Sequence, residues 1–190
     1  MKINVLAENL KKGVSICMRG VSARAQLPIL STILLKASKE GVVLSATDLE
    51  LSFRVKVRAK VSEEGEIAVP AKLFSDLVAT LPVGVVDLSD KKQTLIIEGE
   101  KVRAEVVGQS SEEFPALPKT KGKGLEIDVA ELVEKVERVG IAAAKDDARP
   151  ILAGVLWIFD KKRITLAATD GYRLGVDYFK NDAAETAGDT

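Results

Sequence analysis

The stretch Arg149–Leu174, RPILAGVLWIFDKKRITLAATDGYRL, decides the fold because the chain contains it twice. Moved back by 122 positions, it falls without a gap on Leu27–Ser52, LPILSTILLKASKEGVVLSATDLELS. Pro-Ile-Leu and Ala-Thr-Asp recur at the same places in both copies. A fixed internal period indicates a duplicated structural unit. We therefore predict one domain over residues 1–122 and a second, incomplete copy over residues 123–190.

The hydrophobic pattern predicts one amphipathic helix and several strands in each copy. A short strand over 2–5 leads into a helix over 7–19, strands from residue 30 onward and one long strand over 52–61. A second β-α-β-β-β set follows in 67–107, with a turn at Asp90–Lys91. After a connector over 112–124, the pattern restarts with a strand over 125–128 and a helix whose apolar face runs from Val129 to Val139. Strands over 151–159, 163–169 and 172–179 complete an α+β pattern.

The composition excludes several classes of site. The chain has no histidine and one cysteine, Cys17, so neither a Cys/His zinc site nor a histidine-based catalytic relay can form. We predict no metal and no cofactor, and we place Cys17 in the core. Equal numbers of basic and acidic residues, 28 of each, argue against tight binding to nucleic acid through bulk charge. The absence of a membrane-spanning run or a signal-peptide pattern predicts a cytoplasmic protein without a membrane partner.

A basic row alternates with apolar residues along the long strand. Arg54, Lys56, Arg58 and Lys60 share one face, and Phe53 begins the apolar face. Such a row is compatible with nucleic-acid binding. It is also typical of the solvated face of an antiparallel sheet, or of an edge strand protected by charge. We favour the second interpretation.

The segment Thr169–Leu174, TDGYRL, combines a turn with side chains suited to recognition. The Thr-Asp pair is a good turn former, and the first copy has Thr47–Asp48 at the same place. The turn does not explain Gly-Tyr-Arg-Leu, which the first copy replaces with Leu-Glu-Leu-Ser. An aromatic ring, a long cation and a leucine near a strand end predict part of a shallow apolar groove for a peptide.

These motifs, with FPALP in the connector, make the chain resemble the bacterial sliding clamps, the β subunits of DNA polymerase III, over its whole length. The resemblance implies a DNA-clamp fold with antiparallel sheets outside and helices inside a homodimeric ring of three-domain subunits. It implies a non-catalytic processivity factor in DNA replication, with double-stranded DNA, the replicative polymerase, the clamp loader and other clamp-binding proteins as partners. By this resemblance, we expect the chain to correspond to the first domain and half of the second, without the third domain. We therefore expect weak or no clamp activity from this chain alone.

The resemblance also implies site residues. Arg24 and Lys72 fall on DNA-contacting positions. Asp146, Pro150 and Ile151 fall on further DNA-contacting positions but depart from the polar and aromatic types of the family, whereas Lys145 and Arg149 supply cations in the same loop. The helix cations that would line the ring are Lys11, Lys12, Arg19, Lys72, Lys135 and Arg138. The peptide pocket would use Leu152, Thr169, Gly171, Tyr172, Arg173 and Leu174.

Two alternatives from other classes remain open. Paired carboxylates, Asp147 with Asp170 or Asp48 with Glu50, could hold a metal ion for phosphoryl transfer. Against this, Asp48 and Asp170 are equivalent repeat positions suited to turns, and no glycine-rich phosphate loop accompanies them. The other alternative is a protein-interaction module that does not bind DNA.

Overall fold

All strand pairings in the described residues are antiparallel. The computed structural model describes residues 1–22, 27–118, 126–146 and 149–180. The chain divides into two units, Met1–Lys119 and Thr120–Thr190. Together, the sheets and helices confirm the predicted α+β class.

The described part of the first unit contains nine strands and two α-helices. The strands are β1 (Lys2–Leu6), β2 (Thr32–Ser38), β3 (Gly41–Thr47), β4 (Ser52–Val57), β5 (Ala59–Glu63), β6 (Gly65–Pro70), β7 (Val85–Lys91), β8 (Thr94–Gly99) and β9 (Val102–Val107). The helices are α1 (Ala7–Cys17) and α2 (Ala71–Thr80).

The two β-α-β-β-β halves of this unit exchange their first strands. One sheet has the order β5-β1-β7-β8-β9, and the other has the order β4-β3-β2-β6. The exchange extends beyond the first strands. The last strand of the first half, β5, pairs with β1 in the sheet of β7, β8 and β9. Gln109, just after the last strand of the second half, bridges to Ala68 of β6 in the other sheet. Each sheet therefore needs strands from both halves, so the halves form one structural unit.

Both sheets and both helices of the first unit share one apolar core. Leu10, Val14 and Cys17 of α1 are buried there, as the helical spacing predicts. Gly13 lets α1 approach β4 closely, since a Cβ at this position would lie 2.7 Å from Val57 Cγ2. Cys17 is buried, and burial raises the pKa of its thiol to about 11. Its place in the core is confirmed.

The second unit contains helix α3 (Val129–Gly140) and the sheet β10-β11-β12, formed by β10 (Leu156–Phe159), β11 (Arg163–Thr169) and β12 (Leu174–Lys180). Asp128 caps α3 by accepting a hydrogen bond from the Glu131 amide at 3.0 Å. The helix packs on β11 and β12, and the Trp157 and Phe179 rings stack 6.2 Å apart. The buried core of this unit is small and comprises Val139, Ala142, Ile164, Leu166, Ala168 and Phe179.

Several predicted elements differ in the structure of the first unit. The strand predicted over 52–61 is two strands in two sheets, because the chain crosses at Arg58 from pairing with β3 to pairing with β1. The basic side chains are exposed and still alternate with half-buried or buried ones, as in the favoured interpretation of this row. The helix predicted over 7–19 ends at Cys17 and continues as a 3-10 turn, Met18–Gly20.

The second unit also departs from its prediction. Residues 126–128 form no strand, whereas β1 at the equivalent place pairs with β5 and with β7 of the other half. The described part of the second unit has no such second sheet. Pro150–Leu152 is a 3-10 turn, so the strand predicted over 151–159 begins only at Leu156. On α3, Val139 is buried but Val129 and Val133 are 70% and 49% exposed, so the predicted apolar face is only partly covered.

Candidate peptide groove and candidate nucleic-acid surface

An open apolar groove of about 590 Å³ lies in the second unit, between the 3-10 turn Pro150–Leu152 and the adjoining ends of β11 and β12. Eleven residues line it, and apart from the Thr169 hydroxyl and the Trp157 indole N–H their side chains are apolar. They are Pro150, Ile151, Leu152, Gly154, Val155, Leu156, Trp157, Ala167, Ala168, Thr169 and Leu174. Ile151 is 88% exposed and Leu174 is 68% exposed, so large apolar side chains face solvent here. Such a surface favours an apolar ligand.

The turn after β11 forms the rim of this groove and is held by its own side chains. The Thr169 hydroxyl donates to the Arg173 carbonyl at 2.7 Å and accepts from the Gly171 amide at 3.0 Å. The Asp170 carboxylate accepts from the amides of Tyr172 and Arg173 at 2.9 and 3.0 Å. These amides, and then the Arg173 side chain, hold the pKa of Asp170 below its ordinary value. The rim is therefore fixed before any ligand binds.

Arg149 joins the loop before the 3-10 turn to this rim. Its guanidinium donates to the Asp170 carbonyl at 3.3 Å. Gly171 has φ +91°, a conformation that favours glycine, and a Cβ there would lie 3.4 Å from Arg149 Nη2. The Arg173 guanidinium is paired with the Asp170 carboxylate at 2.9 Å. Arg149 and Arg173 thus lie at the rim of the apolar groove, and the Asp170 carboxylate neutralises the charge of Arg173.

The first copy builds the same turn from different residues. The Thr47 hydroxyl donates to the Leu51 carbonyl at 2.9 Å, and Asp48 accepts from the amides of Glu50 and Leu51. Leu49 takes the place of Gly171 with φ +80°. The Leu51 amide is the main cause of the lowered Asp48 pKa. The hydrogen bonds of the turn therefore explain why an aspartate stands at this position, Asp48 or Asp170, in both copies.

The structure brings together two sets of residues that the sequence assigned to different roles. Leu152, Thr169 and Leu174, expected in a peptide pocket, line the groove. Pro150 and Ile151, expected at DNA-contacting positions, line it too, and Arg149 contacts its rim. Gly171, Tyr172 and Arg173 form the rim turn, where Tyr172 is 97% exposed. Lys145 and Asp146 are exposed on the chain before Arg149.

Sequence analysis missed part of the groove wall. Gly154, Val155, Leu156 and Trp157 also line it, as do Ala167 and Ala168 next to Thr169. The signal for Leu156 was present in the sequence, since Leu34 matches it in the repeat. The alternation along β10 assigns Leu156 to one face of the sheet, but it does not indicate whether another element covers that face. Only the pairing of β10 with β11 alone, within the described residues, reveals the exposed edge.

A separate set of cations lies on the helices of the first unit. Lys12 and Arg19, on α1 and the 3-10 turn that follows it, and Lys72 on α2 are exposed, and they enter no ion pair among the described residues. Lys11 instead donates to the Leu81 carbonyl at 2.8 Å and so ties α1 to the end of α2. Arg24, the expected loop contact, lies outside the described residues.

The cations of α3 are neutralised within the second unit. Lys135 is only 16% exposed and pairs with Asp177 at 3.3 Å and with Glu131 at 3.5 Å. Arg138 pairs with Asp177 at 2.8 Å and with Glu134. Backbone donation from Tyr178, followed by Lys135 and Arg138, lowers the pKa of Asp177. Because α3 also carries three glutamates, it offers little free positive charge.

The paired-carboxylate alternative finds no support in the described residues. They contain no cluster of three potential metal-ligating side chains. Asp48 is engaged by the turn amides of Glu50 and Leu51, which explains the Asp48–Glu50 pair. Asp147, the proposed partner of Asp170, lies outside the described residues. Within those same ranges, the helices are too short or too polar to cross a membrane.

Comparison with known proteins places both units in one family. Residues 1–118 match the DNA polymerase III beta subunit, N-terminal domain, and residues 126–188 match the central domain of the same subunit. The Beta sliding clamp of Streptomyces coelicolor is 36% identical over 188 residues, which cover 94% of this chain and 48% of that protein. That of Synechocystis is 35% identical over 187 residues, covering 93% and 48%. The chain thus spans about half the length of these relatives.

Solved structures agree with the sequence comparison. The DNA polymerase sliding clamp from Bacillus subtilis superposes with a TM-score of 0.88 at 28% identity, covering 96% of this chain and 50% of that one. The DNA polymerase III beta subunit from Thermotoga maritima superposes with a TM-score of 0.82 at 30% identity, covering 94% and 49%. Because the family match covers more than half of the chain and the folds agree, this protein belongs to the DNA polymerase III beta subunit family of sliding clamps.

Proposed function

We propose that this chain forms part of a non-catalytic processivity factor, which in complete form encircles double-stranded DNA in the cytoplasm and tethers the replicative polymerase. The observation that carries the proposal is the duplicated fold, which aligns over 96% of the chain with the Bacillus subtilis clamp. In the complete subunit, a third domain would allow two copies to close a ring with sheets outside and helices facing the DNA. The clamp loader and other clamp-binding proteins would be further partners.

The groove of the second unit is the proposed site for partner peptides. Its lining offers apolar contact, while the fixed rim offers Arg149 and the backbone of the turn for orientation. Burying one large apolar side chain supplies about 1.5–3 kcal/mol. Two such anchors together supply about 3–6 kcal/mol, so before the cost of association they limit the dissociation constant to about the tens of micromolar to the millimolar range. We therefore expect peptide ligands that present two large apolar side chains to the groove.

A fluorescence anisotropy titration tests the groove. The probe is a labelled decapeptide with adjacent leucine and phenylalanine, compared with the same peptide carrying two alanines. Ile151→Asp should weaken binding at least about tenfold, because a carboxylate replaces an exposed anchor in the apolar lining. Val83→Asp is the matched control, since Val83 is similarly exposed at 81% but lies in the first unit. Equal affinity for both variants would contradict the proposed site.

The proposed DNA surface is the exposed helix cations of the first unit, Lys12, Arg19 and Lys72. A ring that encloses DNA needs only modest positive charge, in agreement with the zero net charge of the chain. Each phosphate contact contributes about 0.9 to the slope of log affinity against log salt. The loop residues Lys145, Asp146, Arg149, Pro150 and Ile151, together with Arg24, are retained as weaker candidates for contact with DNA.

Duplex binding at low salt tests this surface. Alanine at Lys12, Arg19 and Lys72 should lower the salt slope by up to about 2.7, the sum of three phosphate contacts. The control replaces Arg54, Lys56 and Lys60 with alanine, which removes the same charge from the exposed row on β4 and β5. An equal loss in the control would assign DNA contact to the strand face instead.

Loading onto primed circular DNA tests the complete activity. We expect the 190-residue chain to show weak or no retention on the circle, because ring closure in this proposal requires the third domain. A subunit extended to the full length of its relatives should be retained. Retention of the 190-residue chain at the level of the extended one would contradict this part of the proposal.

A further inference from the structure

The exposed face of β12 carries a stripe of large apolar side chains that begins at the groove. Leu174, Val176 and Tyr178 are alternate residues of this strand, so they lie on the same face of the sheet. They are 68%, 56% and 55% exposed. Neighbouring exposed apolar side chains indicate a binding surface, whereas single ones are normal on any protein. We call these three residues the β12 stripe, and Leu174 is at the same time part of the groove lining.

The same face of the first unit is polar. The 122-residue repeat places Ser52, Arg54 and Lys56 of β4 at the three positions of the β12 stripe. All three side chains are exposed, although the sheet of the first unit includes its fourth strand, β6. Pairing by a fourth strand at the far edge of the sheet therefore leaves this face open to solvent. The apolar character of the β12 stripe is a property of its own residues, which replace two cations and a serine.

Two cations lie at the end of the β12 stripe that is remote from the groove. Arg163 and Lys180 are direct partners across β11 and β12, and both are exposed. Neither enters an ion pair among the described residues. The Arg163 guanidinium lies 6.0 Å from the centre of the Tyr178 ring, which links these cations to the stripe. Because like charges directly opposite each other are unfavourable, a carboxylate is the complementary group here.

The opposite face of β12 is fixed by helix α3. Asp177 pairs with Lys135 at 3.3 Å and with Arg138 at 2.8 Å, and Phe179 is buried. Gly175 approaches α3 so closely that a Cβ there would lie 3.0 Å from a backbone carbonyl oxygen of the helix. The β12 stripe is therefore held in place before any ligand binds, which lowers the entropy cost of binding.

We propose that partner peptides extend beyond the groove along the β12 stripe and place an acidic side chain between Arg163 and Lys180. This inference rests on the peptide-binding role proposed for the groove of the second unit. An extended peptide presents alternate side chains to one surface, so about six residues cover the distance of about 20 Å from Leu174 to Lys180. The stripe selects apolar residues at alternate positions of this extension, and the two cations select the glutamate or aspartate that follows.

Fluorescence anisotropy with the 190-residue chain tests the extension. The probes are the labelled leucine-phenylalanine decapeptide and two longer forms, which add Ser-Val-Ser-Val-Ser-Glu at the carboxyl end or the reversed sequence at the amino end. The better of the longer probes should bind at least about tenfold more tightly than the decapeptide, because it buries two further apolar side chains. Lysine in place of its glutamate should lower the affinity about threefold or more, since an exposed ion pair is replaced by repulsion.

Two double variants of the second unit separate the contributions of the stripe and of the cations. Val176→Thr with Tyr178→Thr should reduce the affinity of the longer probe to that of the decapeptide, because threonine suits a strand but removes the apolar surface. Tyr178→Phe should retain the gain. Arg163→Gln with Lys180→Gln should remove the preference for glutamate over lysine. The matched control, Arg54→Gln with Arg58→Gln, removes two exposed cations from the first unit and should leave that preference unchanged.

The two proposals fail in different ways. Equal affinity of the decapeptide and both longer probes for the unmodified chain overturns the extension and leaves the groove proposal intact. A gain that persists in the threonine variant also overturns the extension. If none of the probes binds, the groove proposal fails and the extension fails with it. Should the threonine variant not fold, the preference for glutamate and its loss in the glutamine variant decide the question.

Analytical ultracentrifugation tests the other possible occupant of this face, a second copy of the chain. The unmodified chain should sediment as a monomer at the concentrations of the titration. Self-association that is lost in Tyr178→Thr would assign the β12 stripe to a second copy and overturn the proposed peptide extension.

Discussion

Leu49 and Gly171 occupy the same position in two copies of one turn, with φ values of +80° and +91°. The left-handed conformation costs a residue with a Cβ about 1–2 kcal/mol. Leu49 is 62% exposed, so its side chain recovers little of this cost through burial. The hydrogen bonds of Thr47 and Asp48 maintain the turn in spite of the strain.

We predict that exchanging these residue types has opposite effects. Leu49→Gly should stabilise the first unit by about 0.5 kcal/mol, since relief of strain exceeds the added flexibility of the unfolded chain. Gly171→Leu should destabilise the second unit by about 1–2 kcal/mol and disturb Arg149. Urea denaturation measures both, through Cys17 labelling in the first unit and Trp157 fluorescence in the second. Effects of equal sign would contradict the strain argument.

The carboxylates of Asp170 and Asp177 predict acid sensitivity of the second unit. Backbone amides, followed by neighbouring cations, hold the pKa of each below the ordinary value of 3.8. Since the folded-state pKa is the lower one, this stabilisation is complete above about pH 4 and is lost as the pH falls through the folded-state pKa. Asp170→Asn should therefore lower the stability of the second unit at pH 7. It should also weaken the decrease in stability at acid pH, as measured by urea denaturation followed by Trp157 fluorescence over a series of pH values. Asp48→Asn, in the other unit, should leave the Trp157 profile unchanged.

At the scale of elements, the β7–β8 hairpin turns through two residues that are not typical of such a turn. Lys92 and Gln93 both have positive φ, 48° and 61°, in a two-residue connection. The predicted turn at Asp90–Lys91 was wrong by two residues, because the sequence has neither glycine nor asparagine at the true position. Pairing across the strands, ending at Lys91 and Thr94, sets the turn instead.

This hairpin gives a direct prediction. Lys92→Asn combined with Gln93→Gly should stabilise the first unit by about 1 kcal/mol, because asparagine and glycine tolerate the left-handed conformation better than lysine and glutamine do. The Gln93 carbonyl accepts from the Gly108 amide at 2.7 Å, and this backbone bond should persist in the variant. Thermal unfolding followed by circular dichroism is the measurement. A lower midpoint than that of the unmodified chain would show that side-chain contacts of Lys92 or Gln93 outweigh the strain.

Hydrophobic periodicity was most reliable for the elements whose partners are close in sequence. It located α1 and α3 to within a few residues, because a helix has its own period whatever packs against it. It did not reveal that the chain changes sheets at Arg58, since the alternation continues unbroken through the crossing. It also missed the ion pairs that Asp177 makes with Lys135 and Arg138, which are 42 and 39 positions away.

At the scale of the whole chain, the described parts of the two units differ in the amount of core that they bury. The first unit joins two sheets and two helices in one core, while the core of the second draws on one helix and one sheet. The single cysteine and the single tryptophan lie in different units. Each unit therefore has its own natural probe.

We predict two separate unfolding transitions in urea. Trp157 fluorescence should change at a lower urea concentration than the labelling of Cys17, because less apolar surface is buried around Trp157. Cys17→Ser in the first unit should leave the tryptophan transition in place and so serves as the control. Coincident midpoints for the two probes would contradict the expected difference in stability.

The sequence by itself determined the duplication, the helices, the turn at each Thr-Asp pair and the family resemblance, because these depend on residue types at short or fixed spacings. Only the tertiary structure decided which strands share a sheet and which of the described cations enter ion pairs. These properties depend on contacts between distant residues. Phe114 lies 85 residues beyond Ile29, and no local pattern in either segment indicates that one covers the other.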